Sequence, residues 1–127
     1  MKAGMLEHVN LTARDSKATA KWLCELFGWK IRWEGEAMLD GYTVHVGGDD
    51  SYVAIYSRSK NAPEAPESYD HAGALNHIGV VVDDLDATEK KVLAAGFETH
   101  NHGDYEPGRR FYFNDTDGIE YEVVSYA

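Results

Sequence analysis

Three residues have the types to do metal chemistry together: His8, His77 and Glu122. Two neutral imidazoles and one carboxylate make a facial donor set. It suits Fe(II), also accepts Mn, Zn, Ni or Co, and leaves coordination positions for water or substrate. A lone strand histidine is more often a core residue than a ligand. These two histidines, however, occupy equivalent places in an internal repeat. Leu6-Glu7-His8-Val9 recurs as Leu75-Asn76-His77-Ile78, Ala18-Thr19 as Ala87-Thr88, and Gly28-Trp29 as Gly96-Phe97. One deletion later, Val53-Ala54-Ile55-Tyr56-Ser57 lines up with Tyr121-Glu122-Val123-Val124-Ser125.

The repeat defines two modules, about 5–58 and 74–126, within a single domain spanning 1–127. The polar stretch 59–73, which holds Pro63 and Pro66, reads as a linker. Each module opens with a β-branched strand, HVNLTA or HIGVVV. A helix follows. In the first module Asp15 or Ser16 can cap it, Ala18, Trp22, Leu23, Leu26 and Phe27 give the apolar stripe, and Gly28 ends it. In the second, Asp84 or Asp86 starts the helix, Val92, Leu93 and Ala95 follow, and Gly96 ends it. Three strands complete each unit, over 29–34, 37–46 and 51–57, then over 97–102, 108–114 and 119–126. The turn DTDG before the last strand has the Asp/Gly chemistry of tight turns. The expected fold class is α+β, two tandem βαβββ modules forming a curled mixed sheet.

Strand alternation decides where the polar residues point. Val9, Leu11 and Ala13 suit the helix side, with His8, Asn10 and Thr12 opposite. Ile78, Val80 and Val82 likewise oppose His77, and Tyr121 and Val123 oppose Glu122. The three donors therefore share the face away from the helices, where curled sheets would form a cleft. Asn10 is a candidate substrate contact on that face. Alternation also places Arg110 there with Tyr112, where it could bind a substrate carboxylate or phenolate. His71, in the linker, could reach the cleft as an acid or base. His45 reads as structural, and His100 and His102 as neighbours on one strand face.

The net charge of −10 disfavours nucleic acid and anionic membranes as partners. No apolar run approaches the roughly 18 residues of a membrane span, and MKAGMLEHVNL turns polar too soon for a signal peptide. The lone Cys24 fits a reducing compartment, and its apolar setting reads as a buried helix position. A cytoplasmic protein acting on a small molecule is expected.

LEHVNLTARD, LNHIGVVVDDLDA and FYFNDTDGIEYEVV resemble the metal-site strands of the vicinal-oxygen-chelate superfamily, which includes glyoxalase I, extradiol dioxygenases, fosfomycin-resistance transferases and bleomycin-binding proteins. The resemblance covers essentially the whole chain. It implies ligands from the first and last strand of each module: His8, His77, Glu122 and the position of Ala54. Alanine has no donor, so a three-ligand site is implied, and the glyoxalase reaction loses its most readily assigned base. Tyr56 shares Ala54's face and is a candidate substrate contact. Tyr112, ten residues before the glutamate, has the spacing of the family's cleft tyrosine. Fosfomycin transfer is disfavoured, because Asn10 and Glu106 stand where hydroxyl residues would be expected.

The resemblance thus implies a metal-dependent enzyme with one divalent ion, dioxygenase-like or lyase/isomerase-like, acting on a small oxygenated substrate. The alternative is a metal-free antibiotic-binding protein of the same fold, its cleft lined by some of the three tryptophans and eight tyrosines. A homodimer is expected, with His8 of one chain able to face His77 and Glu122 of another.

Overall fold

The structure, a computed structural model, describes residues 2–127. Two compact units follow one another, Met1–Ala62 and Pro63–Ala127. Unit one runs β1 (His8–Thr12), α1 (Ser16–Phe27), β2 (Lys30–Ala37), β3 (Gly41–Gly47) and β4 (Tyr52–Ser57). Unit two begins with a 3-10 turn (Ser68–Asp70). It continues through β5 (Ile78–Val81), α2 (Leu85–Ala94), β6 (Thr99–Tyr105), β7 (Gly108–Asn114) and β8 (Glu120–Ser125). Each unit forms a four-stranded mixed sheet of the same topology, β1-β4-β3-β2 and β5-β8-β7-β6. The first and last strands of each unit pair in parallel; the remaining pairs are antiparallel. The duplicated βαβββ architecture read from the repeat is the observed one. No helix among the described residues is long and apolar enough to cross a membrane.

Both helices are capped by aspartate. The Asp15 side chain accepts from Ala18 N–H, and that of Asp84 from Ala87 N–H, each satisfying a first-turn donor that has no partner within the helix. Gly28 closes α1 in the left-handed conformation, donating to Cys24 O. At α2 the helix ends at Ala94 and Gly96 follows at φ 96°. Gly96 N–H then bonds Leu93 O and Phe97 N–H bonds Val92 O, the paired arrangement that closes a helix end.

The buried stripes differ from those expected. In α1 they comprise Ser16, Thr19, Ala20, Leu23 and Leu26, while Ala18 is exposed and Trp22 and Phe27 are half-buried. In α2 they comprise Leu85, Thr88 and Val92, while Leu93 and Ala95 are exposed. The small residues turn inward because the helices lie close against their sheets. Ser16 is almost fully buried, its hydroxyl hydrogen-bonded to that of Ser57 at 2.8 Å. The sheets meet the helices with Val44, Val46, Val53 and Ile55 in unit one, and Phe111, Phe113, Tyr121 and Val123 in unit two, all buried. Cys24 is half-buried, and burial raises its thiol pKa, which disfavours the reactive thiolate.

Two irregularities move strand boundaries from those expected. Leu39 and Asp40, both at φ 57°, form a tight turn closed by Gly41 N–H to Met38 O, so β3 starts at Gly41 rather than at residue 37. In β6, left-handed Asn101 (φ 53°) sits in a register shift between His100 and Gly103. Because of it His100 and His102 do not share a face. His100 bonds Asn114 Oδ1 at 2.8 Å, whereas His102 bonds Glu89 of α2 at 2.6 Å.

Candidate functional site

In unit two, β8 sets Glu122 between Gly79 of β5 and Tyr112 of β7 in register. Gly79 leaves room beside the carboxylate, for no heavy atom lies within 4 Å of where its Cβ would stand. His77, the residue before β5, reaches the same face with its Nε2 3.2 Å from Glu122 Oε1. The opposite ring nitrogen, Nδ1, lies 2.7 Å from Asn76 Oδ1, an acceptor, so Nδ1 carries the proton. His77 Nε2 thus faces a carboxylate oxygen, and the two can share a proton or act as adjacent donors to a cation. Donors about 2.1 Å from one metal and at right angles to each other stand about 3 Å apart, so the pair fits two adjacent ligands.

Glu122 is also held from the far side. Arg110 Nη1 donates to its Oε2 at 2.8 Å, both side chains being about 15% exposed. This leaves Oε1 facing His77. Tyr112 packs edge-on to His77, with ring centroids 5.8 Å apart. Burial first, and then the Glu122 carboxylate, push its phenol above its ordinary pKa. It is therefore a neutral O–H donor rather than a phenolate. Sequence reasoning missed Tyr69. From the 3-10 turn in the linker, its hydroxyl donates to Glu120, which raises its pKa to about 12. Its only sequence signal was an aromatic residue amid small and charged ones. His71 lies two residues further on, exposed, with Nδ1 donating to Glu67 O at 2.6 Å.

In unit one the matching face carries rings. His8 stacks on Tyr52 (4.7 Å, 12°), Tyr52 on His45 (4.6 Å, 24°), and His45 meets Trp33 (5.0 Å, 51°), so each of the four strands contributes one ring. The Arg32 guanidinium lies over Tyr52 at 4.7 Å. His45 thus belongs to the same face as His8, not to an inert core, and its pKa is lowered by burial first and then by His8. His8 Nδ1 is held by Glu7 at 2.9 Å, leaving Nε2 as the nitrogen that could ligate. Asn10 is exposed and pairs in register with Ala54, which is buried and offers no donor. The Tyr56 hydroxyl is committed to Met38 O at 2.9 Å and braces the β2–β3 turn. Among the described residues no three His, Cys, Asp or Glu side chains form a group that could hold a metal ion; the close donor pair is His77 and Glu122.

The chain matches the model of the Glyoxalase/Bleomycin resistance protein/Dioxygenase superfamily over residues 5–123, and it belongs to that family. Among solved structures it is similar to a glyoxylase/bleomycin resistance protein/dioxygenase domain from Frankia sp. EAN1pec. The identity is 20%, the TM-score 0.82, and 98% of each chain is covered. It is also similar to the fosfomycin resistance protein FosX from Mesorhizobium loti (24% identity, TM-score 0.71, 98% of this chain and 92% of that one). A third likeness is to FosX from Listeria monocytogenes complexed with Mn(II) and sulfate ion (19% identity, TM-score 0.74, 98% of this chain and 93% of that one). At these identities the likenesses show the fold. No significant match was found among curated proteins.

Proposed function

We propose that the protein is a metal-dependent vicinal-oxygen-chelate enzyme acting on a small oxygenated substrate, with His77, Glu122 and His8 as ligands of one divalent ion. The observation that carries this reading is the 3.2 Å approach of His77 Nε2 to Glu122 Oε1, with the remaining nitrogen and oxygen of the pair held by Asn76 and Arg110. Such outer contacts fix the ring tautomer and the carboxylate orientation that a metal requires. His8 enters the proposal through the repeat, since it precedes Val9 as His77 precedes Ile78. The third donor would be supplied by the same chain or by a second copy in a homodimer.

A divalent ion at this site would supply Lewis acidity toward two neighbouring substrate oxygens. The protein's part is orientation and proton placement. Tyr112 presents a neutral hydroxyl to a substrate oxygen, and Asn10 supplies an exposed amide on the unit-one face. Dioxygenase and lyase or isomerase chemistry both use this arrangement. The test is metal content by elemental mass spectrometry on protein purified anaerobically, beside His77→Ala and His8→Ala. One equivalent in the wild type and strong loss in both variants is expected. No metal in the wild type after reconstitution with Fe(II), Mn(II), Ni(II) or Zn(II) overturns the reading.

The ring ladder Trp33-His45-Tyr52-His8 favours a second reading, a metal-free binding protein for a planar small molecule. Retention of such a ligand by metal-stripped wild type, lost in Trp33→Ala, would support it.

A further inference from the structure

Arg110 uses one third of its guanidinium on Glu122. Its other two nitrogens, Nε and Nη2, are buried, and among the described residues nothing accepts a hydrogen bond from either. Buried N–H groups are nearly always paired, so an unpaired couple on one side chain calls for an explanation. The two lie on the same edge of the guanidinium. Their N–H bonds run parallel at the spacing of two carboxylate oxygens, the fork that binds a planar oxyanion through two hydrogen bonds.

A tyrosine ring stacks on this guanidinium. Tyr105, three residues before the start of β7, lies with its ring centroid 4.9 Å from the Arg110 guanidinium carbon. Gly103, which pairs with Arg110, makes this possible, since a Cβ there would stand 2.6 Å from the tyrosine ring. Tyr105 is 61% exposed, so its ring has solvent to move into.

We propose that the Nε/Nη2 edge of Arg110 is a subsite for a carboxylate on the ligand, shielded by Tyr105 until the ligand arrives. A carboxylate is favoured over a phosphate. The pocket already holds the Glu122 charge on a chain of net charge −10, and a monoanion meets less repulsion than a dianion. The proposal rests on the face around Glu122 being the ligand site, but not on the metal.

The test uses full-length protein stripped of metal, with fluorobenzoate and inorganic phosphate as probes. Fluorine NMR follows fluorobenzoate binding, and the Arg110 Nε–H resonance reports where either probe sits. A saturable shift of that resonance with fluorobenzoate is expected, with affinity about tenfold weaker in Arg110→Lys, which keeps the charge and loses the fork. Tyr105→Ala, an exposed change that leaves the core intact, should bind more tightly than wild type. No saturable shift in either wild type or Tyr105→Ala overturns the subsite. Phosphate binding more tightly than fluorobenzoate overturns the carboxylate assignment. Because the protein is metal-free, failure of the metal reading leaves this outcome unaffected.

Discussion

The buried hydroxyl of Tyr121 donates to Asp115 Oδ2 at 3.2 Å, while Oδ1 of the same carboxyl accepts from Asp117 N–H and Ile119 N–H. This aspartate therefore organises the turn that leads into Glu122. Burial dominates its titration and raises its pKa from 3.8 to about 6, against the lowering effect of the two backbone bonds. A carboxyl whose folded pKa lies above its unfolded value stabilises the fold while both states are protonated. That contribution is lost as pH rises through the folded value. Asp115 should thus cost about 3 kcal/mol of stability between pH about 4 and about 7. Urea unfolding of the wild type minus that of Asp115→Asn, measured across this window, isolates the effect of this carboxyl. A flat difference would refute it.

Gly79→Val places a side chain in the open space beside Glu122. A β-branched residue suits a strand, and the backbone at Gly79 is not left-handed, so the melting temperature should hold or rise. Metal uptake should fall sharply. Unchanged uptake would show that this space is not part of the site.

Tyr69 should resist ionisation until about pH 12, because ionising it would place a phenolate against Glu120. In Glu120→Gln the phenolate absorbance should appear at lower pH, closer to the ordinary tyrosine value of about 10. A titration that does not move would separate Tyr69 from the strand.

Phe111 is fully buried between β6, β8 and α2, with His102 over its ring. Phe111→Ala should cost about 3–5 kcal/mol in equilibrium unfolding. Trp33→Ala, at a ring 52% exposed, should cost far less.

The repeat made the architecture legible, because period-two alternation around His8, His77 and Glu122 fixes which face each strand presents. Both terminating glycines were legible for the same reason, their chemistry being local, and each cap was narrowed to two neighbours, Asp15 or Ser16 and Asp84 or Asp86, of which the structure uses Asp15 and Asp84. What stayed hidden depended on backbone exceptions or on contacts distant in sequence. Leu39-Asp40 is not the Asn-Gly pair that announces a left-handed turn, so β3 was read as starting too early. His45 looked like a core residue amid valines, since nothing local shows that Tyr52 and Trp33 flank it. Tyr69 lay in a segment with no periodicity, and its partner Glu120 is 51 residues away. The Arg110–Glu122 pair could be suspected from alternation, but the bare edge of the guanidinium is a property of three dimensions alone.

The left-handed Asn101 has a consequence for ion selectivity. With regular alternation, His100 and His102 would stand side by side on one face, an open two-imidazole chelate able to scavenge copper, nickel or zinc from solution. The extra residue separates them, sending one ring to Asn114 and the other to the acid of α2. The strand is thereby disarmed as a decoy, and an ion held as proposed by His77 and Glu122 would meet less competition from it.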